Sequence, residues 1–139
     1  TYGFERGDEL IKAAARILLI AMREAGTPED FLGHVGGDDF VLITQPAALD
    51  RLCPRILKEI AEAARGFYSE PDRRRGYMEG KDRDGKARRF SLMTVSIGVV
   101  TNEHRAIRHV AEVAQVGAEL KTWAKQQGGN RWVKDRRIE

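Results

Sequence analysis

Two glycines and two aspartates interrupt what would otherwise be one long apolar run. Phe31-Leu32-Gly33-His34-Val35 precedes them, and the run resumes at Phe40-Val41-Leu42-Ile43-Thr44, with Gly36-Gly37-Asp38-Asp39 between. Short runs rich in β-formers, separated by a glycine turn, read as a β-hairpin. Its tip then carries paired carboxylates, Asp38 and Asp39. Glycine lets a backbone turn tightly and lets a bulky ligand approach, and adjacent carboxylates hold a hard cation such as Mg²⁺ through oxygen. A nucleotide and metal site is one reading of this tip. An ordinary solvated turn, where Gly and Asp are common, is the other, and the five residues Gly36 to Phe40 leave both open.

The rest of the chain is that of a single soluble domain. It has 139 residues, of which 42% are hydrophobic and 32% charged, a size that buries one core. No apolar stretch approaches the roughly twenty residues of a membrane span, and no signal-like segment opens the chain. A cytoplasmic setting is therefore expected. Cys53 is the only cysteine, which excludes an internal disulfide and a multi-cysteine metal site. The net charge of +3 is spread along the sequence, a mild pointer to phosphates and a weak one to DNA. His34, His104 and His109 offer no three-ligand metal spacing and read as surface or edge-strand residues. Tyr68, Trp123 and Trp132 are expected to pack against sheet edges, and Arg73-Arg74-Arg75 to lie in a solvated loop.

Apolar residues recur with helical period at Leu10, Ile11, Ala14, Ile17, Leu18, Ala21 and Ala25, so a helix is predicted over 8–25, stopped by Gly26 and Pro28. After the hairpin, Pro46 opens a second helix to about Phe67, buried along Leu49, Leu52, Ile56, Ile60 and Ala63. The polar stretch from Ser69 to Arg89 reads as an extended hairpin insertion turning at Asp84-Gly85. Ser91 to Thr101 is nearly all apolar or β-branched, as a central strand covered on both faces should be. A third helix is predicted from about Arg105 to Gln126, ended by Gly128-Gly129, and a short strand from Asn130 to Lys134 closes the chain. The order is α-β-β-α, an inserted β-hairpin, then β-α-β. Thr1 opens without an initiator methionine almost directly on a helix, so the chain is expected to be a fragment of a larger protein whose first strand precedes it. With that strand restored the order becomes the split β-α-β-β-α-β of a ferredoxin-like, nucleotide-cyclase palm sheet with flanking helices, an α+β fold.

At this point the motifs resemble those of a known family. Gly36-Gly37-Asp38-Asp39-Phe40 is similar to the signature of GGDEF domains, the diguanylate cyclases. Tyr2-Gly3-Phe4-Glu5-Arg6-Gly7-Asp8 resembles the family's Gly-His-x-x-Gly-Asp segment, and Val95-Ser96-Ile97-Gly98-Val99 its Ser-Ile-Gly-Val strand. Ala124-Lys125-Gln126-Gln127-Gly128-Gly129-Asn130-Arg131 is similar to its closing Ala-Lys-x-x-Gly-Arg-Asn-Arg. Four motifs in order cover essentially the whole chain.

The resemblance implies chemistry on GTP. Two domains face each other as a homodimer, and each 3′-hydroxyl attacks the other nucleotide's α-phosphate, giving cyclic di-GMP and pyrophosphate. Two Mg²⁺ ions per active site, or Mn²⁺, would supply charge neutralisation. It implies Asp38 as chief metal ligand and catalytic carboxylate, with Asp39 as the second catalytic and metal-binding acid, one methylene shorter than the family's Glu. Gly36 and Gly37 would let the nucleotide lie on the hairpin. Asp8 would read the guanine edge, or else cap its helix. Lys125 would meet the terminal phosphates, or else be a solvated helix-end lysine. Gly129 stands where the family has a second phosphate-binding arginine, Phe4 replaces a histidine and Lys121 a typically apolar residue; Arg131 would compensate in part for the lost guanidinium. The family's inhibitory Arg-x-x-Asp falls on Thr27-Pro28-Glu29-Asp30, where only Asp30 remains, so product inhibition there is expected to be weak or absent. The family's first metal-binding aspartate and its guanine-binding asparagine would precede Thr1. An attached sensor, receiver or EAL-type domain is expected in the parent protein, and contact with nucleic acid or membrane is not. The alternative is a degenerate GGDEF module that binds GTP or cyclic di-GMP and regulates an attached domain without catalysis.

Overall fold

The structure, a computed structural model, describes residues 4–81 and 84–136. Helix α1 spans Phe4–Ala25, starting a turn earlier than its apolar period predicts. Strands β1 (Phe31–Gly36) and β2 (Asp39–Ile43) form the expected antiparallel hairpin, in register Phe31↔Ile43 to His34↔Phe40. A 3-10 turn at Pro46–Ala48 runs into α2 (Leu49–Gly66). Helix α3 (Glu70–Arg75) precedes the second hairpin, β3 (Tyr77–Lys81) with β4 (Ala87–Ser91). Then β5 (Ser96–Val99), α4 (Val110–Gln126) and β6 (Arg131–Lys134) make a parallel pair joined through a helix, the connection that parallel strands require.

Ala14, Leu18, Ala21, Met22 and Ala25 of α1 meet Leu52, Ile56 and Ile60 of α2, with Leu32, Phe40, Leu42, Val95 and Ile97 packed against them. Strand alternation explains which residues reach this core. Leu32, Phe40 and Leu42 of the first hairpin face it, and Asp39, Val41 and Ile43 face away. On β5, Ile97 points to the core and Gly98 to α4: a Cβ on Gly98 would lie 2.6 Å from the Gly117 carbonyl oxygen and 3.0 Å from Leu120 Cβ. Two helices therefore cover one side of the strands and α4 the other. Lys121 of α4 reaching Asp39 on the outward face of β2 fits that layering.

Three sequence expectations need correction. The Ser69 to Arg89 stretch is not hairpin throughout. Ser69 caps α3 by accepting from the Asp72 amide at 3.3 Å, and Gly76, at φ 81°, ends it. Arg73, Arg74 and Arg75 thus form a helix's last turn, where basic residues complement the helix dipole. Ser91 to Thr101 is not one strand. Ser91 ends β4 and β5 starts at Ser96, because side chains take the amides between: Tyr68 Oη accepts from Met93 N at 2.8 Å and Asn130 Oδ1 from Val95 N at 3.1 Å. The last long helix starts at Val110, not Arg105. His109 Nδ1 accepts from Ala111 N at 3.0 Å and Glu112 reaches back to Arg108 N, a reciprocal cap. Arg105 instead pairs with the buried Asp135 at 2.8 Å.

None of the described side chains of the α3–β3–β4 segment belongs to the apolar core. Tyr77 lies under the guanidinium groups of Arg75 and Arg89, at 5.4 and 4.7 Å from the ring centre. Its excess of basic over acidic residues equals the +3 of the whole chain.

Candidate functional site

The hairpin tip owes its shape to two residues. Gly36 and Gly37 have φ of 149° and 53°, values that an L side chain rarely adopts. A Cβ at either would meet nothing within 4 Å, so conformation rather than crowding requires glycine. The register slips between His34 and Gly36, which sets Gly36 opposite Asp39 and turns the two acids apart. Asp38 sits in the turn, exposed, with no side-chain hydrogen bond among the described residues. Asp39 opens β2, and its Oδ1 lies 2.9 Å from Lys121 Nζ.

His34 braces this tip from its own strand. Its Nε2 donates to the Gly37 carbonyl at 2.7 Å, and its ring stacks on Phe40 at 4.6 Å and 14°. It is exposed and lies on a strand of a two-stranded sheet, as the sequence predicts; its link to Gly37 is what the sequence does not mark.

Between α1 and the hairpin runs a groove of about 650 Å³, lined by Asp8, Ile11, Lys12, Ala15, Leu32, His34, Gly37 and Phe40. Asp8 is exposed in the second turn of a helix that begins at Phe4, so it is no N-cap and its carboxylate opens on the groove. Sequence reasoning missed Lys12, one turn further along the same face. The groove thus brings together Asp8 and Gly37, and Gly36 and Asp38 are the chain neighbours of Gly37.

Lys125 follows Lys121 by one turn on α4 and is exposed. The guanidinium of Arg131 lies 6.0 Å above the ring of Trp123, and its amide donates to Val95 O. Trp123 itself is 46% exposed rather than packed away. Gly128, Gly129 and Asn130 all have positive φ, at 102°, 72° and 52°.

Asp30 is occupied with the fold. Its carboxylate accepts from Thr27 N at 3.0 Å, from Thr44 Oγ1 at 2.8 Å and from the Thr27 hydroxyl. Burial pushes its pKa up, but the Thr27 and Thr44 hydrogen bonds and the Arg51 charge outweigh burial and hold it below the ordinary value. A Cβ at Gly26 would meet Asp30 Oδ2 at 2.1 Å, which explains glycine where α1 stops.

A family model described as diguanylate cyclase, GGDEF domain, matches residues 1–79, more than half of the chain. The chain belongs to the GGDEF family. The match spans α1, the first hairpin and α2, and so takes in the groove and the tip of this GGDEF domain. Lys125 and Arg131 lie beyond it, on α4 and β6. No match was found among curated proteins.

The donor chemistry at the tip suits the divalent ion that such cyclases use. Mg²⁺ keeps several waters and binds through one or two carboxylates plus substrate phosphates rather than in an all-protein cage. Among the described residues no group of three or more His, Cys, Asp or Glu side chains gathers, and Asp38 presents an unencumbered carboxylate beside the groove. No described helix is long and apolar enough to cross a membrane.

Proposed function

We propose that this GGDEF domain is a diguanylate cyclase that condenses two GTP molecules into cyclic di-GMP and pyrophosphate, acting as a dimer on the GTP of a bacterial cytoplasm. The observation that carries this reading is the groove lined by both Asp8 and Gly37, Asp38 being the next residue after Gly37 in the turn.

In this reading the guanine enters between α1 and the hairpin. Asp8 accepts from its N–H groups, and Ile11, Ala15 and Leu32 give the ring an apolar wall. Gly36 and Gly37 admit the phosphates because no side chain stands over the turn. Asp38 holds the divalent ion and takes the proton of the attacking 3′-hydroxyl, while Asp39 adjoins it as the second acid. Mg²⁺ or Mn²⁺ supplies charge neutralisation on the reacting phosphate. Lys125 meets the terminal phosphates as a point charge. Arg131, turned over Trp123, adds positive charge nearby and does not replace the bidentate grip of an arginine at Gly129.

Turnover of GTP with Mg²⁺, with cyclic di-GMP followed by chromatography, tests this reading beside an Asp38→Ala control. Product that disappears in the control supports the cyclase. GTP binding without product would point to the regulatory module instead. The same preparation tests inhibition. With Asp30 held by Thr27 and Thr44 and its arginine partner replaced by Thr27, added cyclic di-GMP should leave the rate unchanged.

A further inference from the structure

We propose that Lys121 is the resident counter-ion of Asp39, so that of the two acids at the hairpin tip only Asp38 is offered to a divalent cation. This rests on the cyclase reading for its consequence, although the pairing itself does not.

Three observations carry it. The Lys121 ammonium lies 2.9 Å from Asp39 Oδ1. The register that sets Asp39 opposite Gly36 starts β2 there, and β2 alternation sends this carboxylate to the α4 side of the strands, away from the groove. Lys121 is also rooted firmly. A Cβ on Gly98 would come within 3.0 Å of the Lys121 amide nitrogen, so the α4 backbone lies directly on β5 and cannot draw back from the hairpin without opening that contact. A lysine stem of four methylenes spans the remaining distance and brings a compact cation to the strand.

The consequence is chemical. A carboxylate that already holds an ammonium must give it up before it can bind a metal ion, and the shorter aspartate side chain keeps Asp39 near its own strand. Asp39 therefore ties the hairpin to α4 and orients the tip, which makes Lys121 a positioning residue. Asp38, which has no such partner among the described residues, takes the ion with the substrate phosphates.

Zero-length carbodiimide coupling, which joins a carboxylate and an amine in contact, followed by mass spectrometry, tests the pairing in the free chain and with saturating Mn²⁺ and GTP. An Asp39–Lys121 crosslink in both conditions is expected. Its absence from the free chain, or its loss when Mn²⁺ and GTP bind, would overturn the proposal. Titration of Mn²⁺ by electron paramagnetic resonance in the presence of GTP gives the second readout. Lys121→Met should tighten Mn²⁺ binding about two- to fivefold, the range of an exposed ion pair. Adding Asp39→Asn should abolish that gain, and Lys121→Arg should behave as the unchanged chain. If Asp39→Asn alone weakens Mn²⁺ binding as much as Asp38→Ala does, Asp39 is a ligand and the proposal fails. A chain that binds no GTP would defeat the cyclase reading, while the crosslink in the free chain still decides whether Lys121 holds Asp39.

Discussion

Thr94 occupies the space that a side chain at Gly129 would need. A Cβ there would fall 2.3 Å from Thr94 Oγ1 and 2.6 Å from its Cβ, and the Gly129 backbone is left-handed at φ 72°. The absence of a phosphate-binding arginine is thus built into the way α4 ends. Gly129→Arg should fail to restore phosphate affinity and should destabilise the chain by about 1–3 kcal/mol through strain and displaced packing. Urea unfolding together with GTP titration checks both halves. A variant as stable as the parent that binds GTP more tightly would show that this turn adapts.

Asp30 gives a pH dependence with a definite sign. Its pKa lies below the ordinary 3.8, so its contribution to stability is complete above that value and is lost as the pH falls through the lower, folded-state value. Asp30→Asn should cost about 1 kcal/mol at neutral pH, and the gap between variant and parent should close in acid. Unfolding midpoints across a pH series from about 7 down to about 2 measure this. A gap that persists at the acid end would assign the loss to the side chain's shape rather than its charge.

His34 connects stability to catalysis at the tip. Replacing it with alanine removes the hydrogen bond to the Gly37 carbonyl and the stack on Phe40. GTP turnover should fall about tenfold, the equivalent of a lost positioning bond of about 1.4 kcal/mol. His34→Gln, which retains a donor, should recover part of the rate. Steady-state kinetics of the two variants decide the point.

Cys53 is buried in α2, and burial together with the Asp50 charge pushes its thiol up to about 11. At about pH 8 a disulfide reagent should modify it on the order of a hundredfold more slowly than a free thiol, because the thiolate is the reactive form. Urea should release it at the unfolding midpoint. Fast modification of the folded chain would mean that α2 opens locally.

Much of this architecture is local and therefore legible in the residues. The period of Leu10 to Ala25 makes α1, and two apolar runs around two glycines make the first hairpin. What was not legible depends on partners far along the chain. Val95 leaves the expected strand because Asn130 takes its amide, and Arg105 stays out of the last helix because Asp135 holds it. At the site the divide is the same. The glycines, both acids and Asp8 are marked by sequence pattern, and of these Asp8 and Gly37 line the groove. The Lys121 link joins residues separated by 82 positions, and no short motif reports a contact of that range. Arg131 could not be placed from the sequence, because its neighbour in space, Trp123, lies on α4.

The hydrogen bond from Met93 to Tyr68 bears on how this domain tolerates change. It closes a neck at the two ends of the segment that holds α3, β3 and β4, and none of the described side chains beyond the neck belongs to the apolar core of α1 and α2. Because closing a longer loop costs only slightly more than closing a short one, such a cassette can be lengthened, trimmed or exchanged while the groove and hairpin tip keep their geometry. The chain's entire excess of positive charge travels with that cassette, so the electrostatic character of the molecule can be rewritten there without disturbing a single residue of the site.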